Sequence, residues 1–343
     1  MKNIEKISHK NDGLVDMFSR TISYLRLSLT DRCNLRCVYC MPEGTKGGLQ
    51  MLPHEELLSY EELLRVVGLV VDMGMNKIRL TGGEPLVRKG VMNFISSLSQ
   101  IDGLDEIRLT TNGVLLHEKA QGLYDSGIRK LNISLDTMRP ERFKKITGSD
   151  LFDQVWKGIE TAGKLGFDVK LNVVAMKGVN DDEFVDFARL ALKTQYQVRF
   201  IEFMPVGNDS TWKEASYISS SDLQNLIAAL GTLDPLPGRR MDGPARVYSL
   251  TTDDGQQGKV GFISPISHHF CDTCNRLRLT SAGRLRACLL HDREADLKAL
   301  VRGGATDEEI RRLIKQTILD KPKGHTLAED QDKCSGQMSR IGG

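Results

Sequence analysis

"YLRLSLTDRCNLRCVYC", residues 24–40, decides how this chain is read. Its first half, "YLRLSL", has the alternating, β-rich pattern of a strand. Its second half sets Cys33, Cys37 and Cys40 in the spacing C-x3-C-x2-C, just past the strand's end. In α/β proteins the loops after parallel strands carry the functional groups. Three thiolates exceed what a disulfide uses and fall short of a closed structural zinc site, and no further His or Cys follows before His54. A cube of four irons held by three cysteines leaves one iron able to bind a small molecule, so three is a useful number there. A zinc ion with a distant fourth ligand is the bland alternative.

The strand at 24–29 opens a rhythm. "NKIRLT" (76–81), "EIRLTT" (106–111), "KLNISL" (130–135), "DVKLNVVAM" (168–176) and "QVRFIEFM" (197–204) follow as strands, separated by helical stretches such as 151–165 and 182–192. Ser59 with Glu62 three residues on is a capping box for a helix that closes near Gly74. Six strand-plus-helix units imply a parallel α/β sheet covered on its outer face. The pattern predicts an open, partial (β/α)6 TIM-like barrel over residues 1–230, preceded by a short N-terminal segment. A doubly wound sheet is the alternative. After Met204 the rhythm breaks into loops, a helix at 222–230, short strands "ARVYSL", "KVGFI" and "RLRLTSAGRLRACL", and helices near 292–302 and 306–318. This reads as a C-terminal α+β extension, 231–343, whose glycine-rich end is expected to be mobile or docked late.

Bulk properties exclude several classes. The 343 residues are 40% hydrophobic, enough for a large core, and the net charge is +2 with both signs interspersed. That balance speaks against a nucleic-acid partner. No apolar run approaches the roughly 20 residues of a membrane span, and the N-terminus lacks the apolar core of a signal peptide. No membrane role and a cytoplasmic location are expected. The seven cysteines fall into two triplets plus Cys334, which is no disulfide framework.

The second triplet, Cys271, Cys274 and Cys288, has the spacing C-x2-C-x13-C. His268, His269 or His291 could complete a zinc ribbon, or the triplet could hold a second cluster whose open iron ligates a substrate. Arg276 and Arg278 alternate in the run that follows and would project from one face, a suitable clamp for phosphate oxygens or simply a solvated strand face. Arg26, Lys77, Arg79, Lys170 and Arg199 lie in or beside the barrel strands. Such cations ask for an anionic ligand, although salt bridges would also satisfy them.

With Tyr39 before its last cysteine, the C-x3-C-x2-C loop resembles that of the radical S-adenosylmethionine (SAM) enzymes. "TGGEP" (81–85) resembles their second motif, in which backbone and the glutamate, here Glu84, hold the methionine amino group. Glycines there would let backbone approach a ligand closely. More narrowly, "IRLTGGEPLVR", "LTTNG", "NISLDT", "RFIEFMPVGN", "FCDTCNRLRLTSAG" and the terminal "IGG" make the chain similar to the GTP 3′,8-cyclase family, from about residue 16 to the end.

That resemblance implies two [4Fe-4S] clusters, one on Cys33, Cys37 and Cys40 that binds SAM and an auxiliary one on Cys271, Cys274 and Cys288. It implies Tyr39, Gly83, Ser134 and Met204 at the SAM site, and Arg26, Arg79, Thr110, Lys170, Arg276 and Arg278 around GTP, mostly its triphosphate. Lys170 sits early in its strand, away from the expected barrel mouth. The implied chemistry is hydrogen abstraction from C3′ of GTP by a 5′-deoxyadenosyl radical and attack on C8, giving (8S)-3′,8-cyclo-7,8-dihydroguanosine 5′-triphosphate, the first step of molybdenum cofactor biosynthesis. Implied partners are a one-electron reductant such as flavodoxin and, for handover, cyclic pyranopterin monophosphate synthase, with the chain a monomer or homodimer.

Departures are few. Ser19 stands where the family often has glycine, and little effect is expected. Cys334 lies outside both triplets and reads as a free surface thiol. The family's ending is thought to reach the active site, whereas glycine-rich ends are commonly disordered. The rival functions are a radical SAM enzyme acting on a peptide or other small molecule, and a non-catalytic metal-binding regulatory protein. The basic set argues against the first, and the TGGEP loop with the arginines against the second.

Overall fold

Alternation in the strands separates a wall from a lumen. In a computed structural model that describes residues 14–41, 51–207, 212–238, 243–325, 334 and 337–342, the strands are β1 (Tyr24–Ser28), β2 (Lys77–Thr81), β3 (Glu106–Thr111), β4 (Lys130–Ser134), β5 (Asp168–Ala175) and β6 (Gln197–Glu202). Each starts and ends within two residues of its expected span. Leu25, Leu27, Ile78, Leu80, Leu109, Leu131, Ile133, Leu171, Val198 and Phe200 are all fully buried in one continuous apolar core. Burying each such side chain stabilises the fold by about 1.5–3 kcal/mol. The residues between them form the opposite, polar face.

The covering helices are α1 (Tyr60–Asp72), α2 (Val91–Leu98), α3 (Leu116–Asp125), α4 (Pro140–Thr147), α5 (Phe152–Lys164) and α6 (Phe184–Lys193). Ser59 caps α1 in the expected box, its hydroxyl accepting from Glu62 N while the Glu62 carboxylate takes Ser59 N. Val66, Val67 and Val70 of α1 are fully buried. The six strands pair in chain order, all parallel. A doubly wound sheet would reverse its strand order at a switch point. None occurs between β1 and β6, so the partial barrel stands.

The C-terminal part adds α7 (Ser220–Ile227), β7 (Thr232–Pro235), β8 (Arg246–Thr251), β9 (Gln257–Ile263), β10 (Arg276–Leu279), β11 (Arg284–Arg286), β12 (Ala295–Asp296), α8 (Leu297–Arg302), α9 (Asp307–Leu319) and α10 (Met338–Ile341). Its strands extend the barrel wall at both ends. β9 pairs parallel to β6 and β10 parallel to β1, giving the order β12-β11-β10-β1-β2-β3-β4-β5-β6-β9-β8-β7. An open sheet of six strands has two rows of unpaired backbone groups, and these strands satisfy them. α7 begins two residues earlier than expected because Ser219 and Asp222 form a capping box. The helix expected at 292–302 starts only at Leu297, where Asp296 caps it after the short β12.

Ser19 has φ +61°, the sole non-glycine residue in the left-handed region among the described residues. A serine there is strained by about 1 kcal/mol, so the departure from glycine is not silent.

Candidate active site

One row of cations crosses the polar face. In register, Arg278 of β10 lies beside Arg26 of β1, Arg26 beside Arg79 of β2, and Arg79 beside Arg108 of β3. Arg276 pairs with Tyr24 in the next row down. Burial, then the charges of Arg278, Arg79 and Arg276, holds the Arg26 guanidinium well below its usual range, the nearby Tyr24 opposing. Burial and Arg276 likewise lower Arg278 to about 10. Crowded like charges of this kind are costly in an empty lumen and favourable around a polyanion.

Lys170 belongs to the same face. Thr110 pairs with Asn132 and Asn132 with Lys170, so the stagger of the strands lifts this early β5 residue to the level of Thr110. Its distance from the mouth, counted along its own strand, is misleading. Burial and Arg199 lower its ammonium to about 8, although its amine sits 2.9 Å from Asp168 Oδ2. Arg79 Nη1 donates to Thr110 Oγ1 at 3.3 Å, which joins three of the expected substrate residues into one surface. Salt bridges do satisfy part of the set. Glu106 alone gathers Lys77 at 3.5 Å, Arg108 at 2.8 Å and Lys130. Ser28 Oγ, Asn132 Oδ1 and Asn172 Oδ1 are buried on this face without a hydrogen-bond partner among the described residues. Buried polar atoms of this kind fit a polar ligand.

The first cysteine loop sits above this face, and α4 steadies it. Arg36 N and Val38 N donate to the carbonyls of Thr147 and Ile146. Burial raises all three thiols, Cys40 to about 12, with the neighbouring thiols adding to the effect at Cys37 and Cys40. Three half-buried thiolates side by side therefore need a cationic group, and an iron–sulfur cluster fits that donor set. Leu35 N and Asn112 Nδ2 approach Cys33 Sγ at 3.4 and 3.6 Å, the kind of N–H contact that tunes a cluster. A cavity lined by Cys37, Tyr39, Asn112, Ser134 and Asp136 opens beside the loop and brings together two of the expected SAM residues. The other two lie elsewhere. Met204 packs beside Val206, Leu290, Cys334 and Ile341.

Gly83 is under the cysteine loop: an added Cβ would stand 2.3 Å from the Arg32 carbonyl oxygen, and one on Gly82 2.7 Å from that of Thr30. The glycines thus let the two motifs pack on each other. Glu84 differs from the reading that aimed it at an ammonium. Fully buried, it accepts from Leu86 N, Thr111 Oγ1 and Asn112 N, tying "TGGEP" to "TTNG", and burial raises it to about 7.

Around the second triplet, Arg276 Nη2 donates to Cys274 Sγ at 3.5 Å and its guanidinium lies over Phe270. Burial pushes Cys274 up, but Arg276 and Lys321 outweigh it and hold the thiol at about 6. A stabilised thiolate here suits a metal centre. Two of the candidate zinc histidines have other neighbours: His268 bonds Ser267 Oγ and His269 lies edge-on to His325. Among the described residues, no three His, Cys, Asp or Glu side chains gather closely enough for a single metal ion.

Cys334 is not a surface thiol. It is 1% exposed, donates to the Leu289 carbonyl at 3.2 Å and accepts from Arg286 Nη2 at 3.4 Å. Its apolar neighbours exclude water, and Gly207 N binds its carbonyl, so the tail crosses the barrel here. The tail then folds into α10 and enters the mouth. Arg278 Nη1 donates to the Gly342 carbonyl, and a Cβ on Gly342 would meet Thr81 Oγ1 at 2.3 Å. Gly343 and residues 1–13, part of the expected core segment, lie outside the described residues.

Sequence reasoning passed over Arg108, whose row position needs the strand register, and the pair in which Tyr39 Oη donates to buried Asp136 Oδ2 at 2.6 Å. "NISLDT" carried Asp136 in plain view.

Known proteins place this arrangement. A model of the radical SAM superfamily matches residues 27–191, and one of Molybdenum Cofactor Synthesis C matches residues 196–327. A GTP 3′,8-cyclase of Thermodesulfovibrio yellowstonii is 48% identical over 330 residues, 96% of this chain and 99% of that protein. One of Heliobacterium modesticaldum is 47% identical, covering 96% and 100%. In fold, the chain is similar to Streptococcus suis SuiB, solved bound to S-adenosylmethionine, with a TM-score of 0.59 at 13% identity over 93% of this chain and 77% of that one. A cysteine loop on a partial barrel, a cation row below it and near-complete likeness to these relatives converge: the chain belongs to the GTP 3′,8-cyclase family of radical SAM enzymes.

Proposed function

We propose that this chain converts GTP to (8S)-3′,8-cyclo-7,8-dihydroguanosine 5′-triphosphate. The observation that carries the reading is the in-register row Arg278–Arg26–Arg79–Arg108 below the first cysteine loop. Radical SAM enzymes use a [4Fe-4S] cluster and SAM, which together supply a 5′-deoxyadenosyl radical that takes hydrogen from C3′ so that the ribose closes on C8. Cys33, Cys37 and Cys40 would hold that cluster, and Tyr39, Ser134 and Asp136 would line the SAM cavity, with Gly83 and Met204 meeting SAM from outside that cavity.

The chain's own task is binding and aim. Arg26, Arg79, Thr110, Lys170, Arg276 and Arg278 receive the triphosphate, whose charge relieves their mutual repulsion. Fixing the phosphates in the row fixes the ribose above them, and the barrel wall with the tail docked at its mouth keeps water from the reacting carbon. Cys271, Cys274 and Cys288 would carry the second [4Fe-4S] cluster, with its open iron toward the guanine edge. Cys274→Ala should then lower bound iron from about eight to about four per chain while SAM still binds. Retention of all the iron would remove the second cluster from the reading.

A flavodoxin-like one-electron donor, a cytoplasmic setting and transfer of product to cyclic pyranopterin monophosphate synthase complete the proposal. No helix among the described residues is long and apolar enough to cross a membrane. Isotope transfer tests the chemistry: with GTP deuterated at C3′, the 5′-deoxyadenosine formed should carry deuterium. Unlabelled 5′-deoxyadenosine would overturn the abstraction site.

A further inference from the structure

Tyr24 is a buried aromatic placed among cations. It is 3% exposed and opens β1 on the polar face. Its hydroxyl accepts from Arg79 Nε. The Lys77 ammonium lies 5.0 Å from its ring centroid and the Arg79 guanidinium 5.8 Å. Across the strands it pairs with Lys77 on one side and Arg276 on the other. A ring face attracts cations and a phenolic oxygen accepts, so one side chain holds two neighbours by two different means. With Nε engaged by Tyr24, Arg79 donates through Nη1 to Thr110.

We propose that Tyr24 is a positioning residue for the triphosphate: it holds Arg79 through the hydroxyl and Lys77 through the ring, so that both cations face the phosphates before GTP arrives. The inference rests on the GTP reading of the site. A flexible arginine would lose rotamer freedom on binding, and a held one has already lost it.

The site's ionisation supports the geometry. Burial raises the Tyr24 phenol, but Arg79 and Arg26, with the Arg79 hydrogen bond and Arg108, outweigh it and bring it to about 8. The charged groups that act on Tyr24 are thus Arg26 on β1, Lys77 and Arg79 on β2 and Arg108 on β3, with Arg276 beside it on β10. A triphosphate placed among them would raise the phenol again. GTP binding must then take up a proton above pH 8, and affinity falls as pH rises. Lys170, itself near 8, adds a fall of the same sign.

The test compares GTP and guanosine binding to cluster-loaded wild type and Tyr24→Phe, from pH 7 to 9. At pH 7 the variant should bind GTP about 10- to 150-fold more weakly, the range of one lost hydrogen bond to a charged group. Guanosine binding should stay within about twofold. The fall in GTP affinity above pH 8 should be shallower than in wild type, leaving the share due to Lys170. A merely structural role would weaken both ligands and leave the pH slope alone. Equal GTP affinity in variant and wild type, with a shared slope, overturns the role of Tyr24 while leaving the GTP reading intact. Wild type binding GTP no better than guanosine would instead overturn the GTP reading itself. Should Tyr24→Phe fail to fold, wild-type affinity that tightens from pH 8 to 9 overturns the proposal.

Discussion

Arg278 holds the carbonyl of Gly342 through Nη1, so a strand residue beside the second cysteine triplet grips the penultimate residue of the chain. The tail is thereby part of the barrel mouth. Ser281 N also binds the Arg340 carbonyl, and Ile341 is 2% exposed. A glycine is required at 342: φ is +71°, and any Cβ would overlap Thr81.

Gly342→Ala should therefore undock the tail without unfolding the barrel. We expect GTP-dependent 5′-deoxyadenosine formation to fall about 10- to 100-fold, as small misplacements at a reacting centre do. The melting temperature should move by less than about 2 °C. Limited proteolysis should cut the variant near its C-terminus sooner than wild type. An uncut, fully active variant would show that the tail's docking is idle.

Arg26→Met should separate binding from stability. Burial and three neighbouring guanidiniums disfavour the Arg26 charge. Its removal should weaken GTP binding about 10- to 100-fold yet raise the melting temperature by roughly 2–4 °C. Titration calorimetry and a thermal melt on one preparation check both signs.

How far the sequence reached is clear from these residues. Strand alternation gave the six barrel strands to within two residues, since one face of each strand packs in the apolar core and the other lines a polar lumen, which keeps the period of 2. Cysteine spacing located both triplets, because ligand counting is local. The joining of β9 and β10 to the barrel edges was hidden, as nothing in their residues names a partner strand. For the same reason Lys170 looked misplaced and Arg108 went unnoticed: both depend on register between strands. Cys334 was misread because a lone cysteine carries no signal of the Arg286 and Leu289 contacts that bury it.

Glu106 supplies a pH-dependent share of stability. Burial raises its carboxyl, but Lys130 and Arg108 outweigh burial and hold it at about 2, against 4.5 when unfolded. A depressed folded value stabilises the protein above pH 4.5, and that share fades as pH falls toward 2. Glu106→Gln should lose about 3 kcal/mol at pH 7, since three cations are left unmatched, and should flatten the acid limb of the stability curve. Denaturant titrations at pH 7 and at pH 3.5 measure both.

Ser19→Gly should raise stability by about 0.5–1 kcal/mol, because glycine adopts the left-handed backbone without strain but loses more freedom on folding. Chemical denaturation reads the gain directly. An unchanged midpoint would mean that the turn relaxes at no cost.

Cys334→Ser should change stability by less than about 1 kcal/mol, because a hydroxyl can keep the contacts to the Leu289 carbonyl and Arg286, with bound iron unchanged. Loss of iron in this variant would make Cys334 a cluster ligand and contradict its structural role.

The central claim is that the cation row makes this radical SAM barrel a GTP enzyme. The most direct measurement reconstitutes both clusters anaerobically, adds SAM and dithionite, and quantifies 5′-deoxyadenosine with GTP, with ATP and with neither. The account predicts strong stimulation by GTP alone. Formation indifferent to the nucleotide, or none from a sample that contains both clusters, would contradict it.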